Sequence, residues 1–268
     1  MIRQPVVSDR FYPGDPNVLR QTLAELIPPI PDKEKRAARG VIVPHAGYVY
    51  SGAVAGETLA RVRIPETVVL LGPNHTGLGQ PLALGISDWS MPLGQVPIER
   101  QLAISILKHS EVIVDDDTAH LQEHSLEVQV PFLQYLQPNL SIVPIVVSHI
   151  SYDDCQRAAR DLAQAITAFS RPVLLVASTD MTHYEPRISA SAKDRLALER
   201  ILALDPKGLY ETVLGNRISM CGIMPTTIVL LAAMELGASR AELIRYTDSG
   251  EVSGDTAQVV GYAGLVIA

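Results

Sequence analysis

A single α/β domain spanning residues 1–268, with a mostly parallel central sheet and helices on both faces, is the architecture to expect from this chain. Apolar runs of strand length recur at Val41–Pro44, Thr67–Gly72, Ser141–Val147, Pro172–Ala177 and Val259–Ile267. They are rich in β-branched residues and do not alternate with polar ones, which is how strands buried on both faces read. Stretches of helical period lie between them, and that alternation implies crossover helices packed on a sheet. Composition agrees: 47% of residues are hydrophobic and only 5% aromatic, so the core must be built from Val, Ile, Leu and Ala.

Taken in order, Asp15-Pro16 reads as an N-cap followed by Pro at the first helical position. Leu19, Leu23 and Ile27 then fall on one stripe. The polar, Pro-rich segment Ile27–Arg39 reads as a surface loop. Helices are predicted over Gly52–Val62 and Glu99–Lys108. Another follows Glu123-His124 in the pattern SLEVQVPFLQYL, its first turns tightened by Pro131. Asp153 or Asp154 begins a helix that turns Ala158, Leu162, Ala165, Ile166 and Phe169 inward. Ser189–Leu204 and Thr226–Leu236 complete the set. No linker, repeat or low-complexity run divides the chain.

Several classes of function are disfavoured by the same reading. The formal charge is −7, whereas a nucleic-acid binder needs a basic footprint against the phosphates. The longest apolar stretch, Met220–Met234, is interrupted by Cys221, Gly222, Pro225, Thr226 and Thr227. It falls short of the roughly 20 apolar residues of a membrane span, so it reads as a core helix and its lead-in loop. The opening MIRQPVVSDRFYPGD has no apolar signal-peptide region. Cys155 and Cys221 are too few for a disulfide framework, and a reducing cytosol is the default. A cytoplasmic protein with neither nucleic-acid nor membrane partner is therefore expected. No HExxH, GxSxG, CxxC, GxxxxGK[ST] or GxGxxG after the first strand is present, so the corresponding hydrolase, kinase and dehydrogenase chemistries lack their residues.

The histidines carry the strongest signal. Of seven, His45, His75, His149 and His183 each follow an apolar strand within a few residues. Parallel strands would bring them to the carboxyl edge of the sheet, where ligands bind. Clustered imidazoles repel when protonated and suit a metal or acid–base site. His45 lies in PHAGYVYSG, whose Gly47 and Gly52 let backbone approach a ligand. His75 lies in GPNHTG, where Asn74 either orients an imidazole or shapes the turn. Asp180, in Ser178-Thr179-Asp180, either supports His183 or caps a helix. His124 either points into a pocket or caps the helix it precedes. Cys221 starts an apolar helix, whose N-terminus would lower the thiol pKa; the other reading is a buried, inert thiol. Cys155 reads as structural, and His109 and His120 as solvated surface residues.

These residues sit in motifs that resemble the Memo family, the B component of the AmmeMemoRadiSam group. The motifs are RFYPGDP (10–16), PHAGYVYSG (44–52), LGPNHTG (71–77), EHSLEVQVPFL (123–133), STDMTHY (178–184), MCG (220–222) and YTDSGEVSGDTAQVVGYAG (246–264). The resemblance implies a fold like that of class III extradiol ring-cleavage dioxygenases, which hold non-haem iron through two histidines and a carboxylate. Carried over by motif, His45 and His75 would be the imidazole ligands and Cys221 the third ligand. His183 would be the acid–base histidine, Asp180 would set its tautomer, and His124 would be a further pocket residue. His149 matches no motif. A thiolate in place of the carboxylate suits iron or copper, with zinc possible, and disfavours ring cleavage itself. The expectation is a metalloprotein with an iron- or copper-dependent redox role on a small molecule, and a radical SAM enzyme as functional associate. A non-catalytic metal- or peptide-binding protein using the same pocket is the alternative, and a zinc hydrolase a third reading.

Overall fold

The apolar runs become strands of one large sheet in the computed structural model, which describes residues 2–268. The first six strands are β1 (Ile2–Arg3), β2 (Gly40–Val43), β3 (Thr67–Pro73), β4 (Leu82–Leu84), β5 (Asp88–Met91) and β6 (Gly94–Val96). They are followed by β7 (Val114–Asp115), β8 (Ser141–Val147), β9 (Val173–Ser178), β10 (His183–Glu185), β11 (Ala241–Asp248) and β12 (Val259–Ile267). The helices are α1 (Pro16–Leu26), α2 (Tyr48–Ala60), α3 (Arg100–His109), α4 (Val130–Leu136) and α5 (Tyr152–Ala168). Then come α6 (Arg187–Leu202), α7 (Pro206–Gly215), α8 (Ile223–Glu235) and the short α9 (Gly250–Ser253).

Nine strands form a sheet in the order β10-β12-β2-β9-β3-β8-β4-β7, with β11 also paired to β12. Strands β2, β9, β3 and β8 run parallel at its centre. The sheet as a whole is mixed, because β12 is antiparallel to β2 and β4 to β8. Val259–Ile267 reads like a parallel strand because it too is buried on both faces. A non-alternating apolar run reports burial, not direction. Strands β1, β5 and β6 make a separate small sheet. Helix α2 packs on β2, β11 and β12, while α8 packs on β2, β3 and β9 beside α5 and α7. No helix among the described residues is long and apolar enough to cross a membrane.

Local rules explain the helix boundaries. Asp15 caps α1 by accepting from the amides of Asn17 and Val18, and Leu19 and Leu23 are fully buried. Asp205-Pro206 repeats that signal and opens α7, with Asp205 accepting from the Gly208 amide. The helices expected from sequence, Ser189–Leu204 and Thr226–Leu236, leave α7 out. Helix α5 begins at Tyr152 because Ser151, rather than either aspartate after it, is the cap. Helix α2 begins at Tyr48, four residues before Gly52, and the Tyr48 ring packs on Phe132 of α4 at 4.6 Å.

One buried ion pair ties the N-terminal strap to the segment before α4. Arg3 Nη1 lies 2.8 Å from Glu127 Oε2, with side chains 3% and 0% exposed. Glu127 also accepts from the amides of Val6 and Val7 and from the Tyr12 hydroxyl. Arg3 donates to the carbonyls of His120 and Glu123 and stacks on the Trp89 ring at 4.1 Å. Breaking one side of such a pair strands a charge away from water, at a cost of about 3–5 kcal/mol. Glu127→Ala should therefore lower the unfolding free energy in urea by about that amount. A loss within experimental error would show that the strap is not held this way.

Candidate metal centre

The parallel strands decide where the imidazoles go. His45 follows the end of β2 and His75 the end of β3, two strands on either side of β9. Cys221 arrives from the loop that leads into α8. That loop lies so close to the end of β9 that a Cβ on Gly222 would meet Thr179 Cβ at 2.4 Å and the Ser178 carbonyl at 2.5 Å. The ligand atoms of His45, His75 and Cys221 all lie within 4.8 Å of one another. Cys221 Sγ is 3.4 Å from His45 Nε2. His45 is buried, Cys221 half-buried and His75 exposed, so the cluster opens to solvent on the His75 side.

Each ring is held from behind through Nδ1. The Ser178 hydroxyl donates to the Ser125 carbonyl and accepts from Gln129 Nε2. Its remaining lone pair faces His45 Nδ1 at 2.9 Å. His45 must therefore donate from Nδ1 and present an unprotonated Nε2 toward Cys221. His75 donates from Nδ1 to Glu123 Oε1 at 2.9 Å. His183 donates from Nδ1 to the Ser219 carbonyl at 2.8 Å. His124 stacks on His75 with centroids 4.6 Å apart, and its Nδ1 is 3.5 Å from Glu123 Oε1.

Electrostatics reinforce this polarity. Burial and the neighbouring His75, His124 and His183 hold His45 well below the usual imidazole pKa, so it stays neutral. Burial alone would raise the Glu123 carboxyl. Hydrogen bonds from the His75 ring and from the Ser125 and His75 amides outweigh that effect and hold it at about 2. Glu123 is thus a permanent anion behind His75. Burial lifts Asp180 to about 6, although it accepts from the His45 amide at 2.8 Å.

Cys221 corrects an expectation. Burial and the nearby Asp180 carboxylate raise its thiol above the ordinary value, opposite to the lowering expected at a helix N-terminus. The Asp180 amide donates to Sγ at 3.3 Å, which does not offset them. A thiolate at this point needs a cation beside it. The donors also fit one: two imidazole nitrogens with lone pairs and one sulfur suit a borderline or soft metal ion. Bonds of about 2.0–2.1 Å to nitrogen and 2.3 Å to sulfur at tetrahedral angles place those atoms roughly 3.5 Å apart. The His45–Cys221 separation matches.

The other sequence-derived candidates sort clearly. His183 is half-buried, and its Nδ1 partner is the Ser219 carbonyl rather than Asp180. Asp180 instead fixes the His45 backbone. Asn74 is a turn residue, its Oδ1 accepting from the amides of Thr76 and Gly77. His149 is exposed, and so is His109, which bonds the Ser105 carbonyl. His120 is not solvated as expected but 2% exposed. Cys155 is buried with Sγ 4.0 Å from Met224 Sδ. Sequence reasoning gave no role to Ser178, Gln129 or Ser219 and treated Glu123 only as a neighbour of His124. All but Ser219 lie inside the motifs quoted for the resemblance.

Comparison with known proteins follows the same outline. The family model described as "Memo-like protein" matches residues 3–266. The chain belongs to the Memo family. A MEMO1 family protein of Methanopyrus kandleri is 43% identical over 279 residues, covering 99% of each chain. A MEMO1 family protein of Aquifex aeolicus is 40% identical over 267 residues, covering 99% of this chain and 98% of its own. Among solved structures, an uncharacterized protein of Escherichia coli K12 superposes with a TM-score of 0.55. That likeness covers 83% of this chain and 98% of the other at 14% identity, and so concerns the fold.

Ser178→Ala should release His45 to either tautomer and weaken zinc binding about 10–100-fold in a chelator competition. Ser178→Thr, which keeps the hydroxyl, should restore most of it. Equal affinity for all three proteins would remove Ser178 from the site.

Proposed function

We propose that this member of the Memo family holds one iron or copper ion through His45 Nε2, His75 Nε2 and Cys221 Sγ and serves a redox step on a small molecule. The observation that carries this reading is the convergence of two tautomer-fixed imidazoles and one sulfur from three separate parts of the chain. Bound there, iron or copper would supply one-electron chemistry and Lewis acidity. The protein's own groups would do the rest. Glu123 and Ser178 keep two lone pairs directed at a common point. Asp180 holds the His45 backbone and the sulfur in register. His183, anchored at Nδ1, has Nε2 available to accept and return a proton at the substrate. His124 lies flat on His75, and the Phe11 ring meets it edge-on at 5.0 Å.

Elemental analysis of protein purified without oxygen is the direct test. The wild type should carry about one ion per chain, while His45→Ala and His75→Ala should each lose most of it and keep their circular dichroism spectra. Normal metal content in both variants contradicts the assignment. Cys221→Glu should shift the bound iron-to-copper ratio toward iron, the ion better suited to a carboxylate. An unchanged ratio would mean that the sulfur is not a ligand. Tight copper binding with no oxygen uptake by the Fe(II)-loaded protein would replace the redox role with metal holding.

A further inference from the structure

Asp194, on α6, is completely buried and is not one of the metal-site groups. Burial pushes its carboxyl above the ordinary pKa, so an acid at this position is costly to keep. Its two oxygens have separate partners. Oδ1 accepts from the Thr182 amide at 2.9 Å and Oδ2 from the Tyr246 hydroxyl at 2.7 Å. Thr182 is itself completely buried and lies in the irregular stretch between β9 and β10, where its N–H has no backbone acceptor. An interior N–H must find a partner, so Asp194 decides where this backbone runs.

That backbone carries His183. The His183 amide donates to Ser219 Oγ, and the ring donates from Nδ1 to the Ser219 carbonyl, both at 2.8 Å. Strand β12 clips the same stretch from its other side. The Met181 amide donates to the Gly261 carbonyl at 2.8 Å, and the Gly261 amide to the Thr182 carbonyl at 2.9 Å. A Cβ on Gly261 would stand 2.1 Å from Asp194 Oδ2, so the glycine leaves the room that the acid fills. Tyr246 and Gly261 both belong to the motif YTDSGEVSGDTAQVVGYAG, which supplies none of the metal donors. Just after His183 the pairing with β12 is irregular, and Tyr184 sits in the left-handed region at φ 57°. Local strain of that kind persists only where surrounding contacts over-determine it.

We propose that Asp194 is a positioning residue that aims the His183 ring at the metal centre by holding the Thr182 amide, while Tyr246 and Gly261 fix its own place. This role rests on the acid–base reading of His183, whereas the placement itself needs neither metal nor turnover.

The test reads the His183 ring in metal-free protein carrying ¹⁵N-histidine, at a pH above the ordinary imidazole range. In the wild type, Nδ1 of His183 should show the shift of a protonated nitrogen and Nε2 that of a bare one. Asp194→Ala should move both toward the average of two exchanging tautomers and speed exchange of the Thr182 amide about tenfold, the worth of one hydrogen bond. The His45 and His75 nitrogens, held by Ser178 and Glu123, should stay in place, which a general loosening of the fold would not allow. Asp194→Asn keeps an oxygen for Thr182 and turns an N–H toward Tyr246, so it should restore the wild-type spectrum. Tyr246→Phe should shift the His183 resonances the same way by a smaller amount, and it decides the matter if Asp194→Ala does not fold. Unchanged His183 resonances in the variants would overturn the proposal, and so would displacement of all three rings together. Because no metal is present in this measurement, a failure of the redox reading would leave these spectra untouched.

Discussion

Every imidazole of known anchorage at the strand ends is gripped by its far nitrogen, and the chemistry available at the near one depends on that grip. A histidine ring can carry its proton on either side, and only one arrangement leaves a lone pair facing a metal. Ser178 settles the matter for His45 because its own proton and one lone pair are already committed to Ser125 and Gln129. Glu123 does so for His75 with a carboxylate that stays ionised. Orientation thus comes from oxygens on β9 and on the segment before α4, not from the strands that carry the rings.

The rest of the fold serves to hold those oxygens. The central parallel strands fix the spacing of His45, Ser178 and His75. The segment bearing Glu123 has little regular structure of its own, and its position is set by contacts at both ends. The Arg3–Glu127 pair secures it to the N-terminal strap. Gly72 lets Ser125 come close, since a Cβ there would stand 2.7 Å from the Ser125 hydroxyl, which donates to the Pro73 carbonyl. Gly222 gives the sulfur the same freedom of approach on the other side.

Much of this was legible in the chain before folding. Strand-end placement brought His45 and His75 together on paper, and the MCG motif nominated Cys221 through a family resemblance. What escaped had physical reasons. Strand direction in β12 is invisible to hydropathy, because burial on both faces looks alike in either sense. His120 reads as a surface residue beside Asp115, Asp116 and Asp117. Two of those carboxylates are consumed in binding backbone amides, Asp116 to Gln80 and Thr118 and Asp117 to Ile86 and Ser87. Ser178 lies 133 residues from His45, so its role exists only once the sheet is closed. For Cys221, position at a helix start predicted the wrong sign, since burial and Asp180 outweigh a partial helix charge.

X-ray absorption at the zinc edge, on protein loaded with one equivalent of Zn(II), addresses the convergence of donors without requiring any activity. One sulfur at about 2.3 Å with imidazole nitrogens at about 2.0–2.1 Å is the expected shell. A spectrum with only light scatterers, unchanged in Cys221→Ala, would place the ion elsewhere and contradict the account.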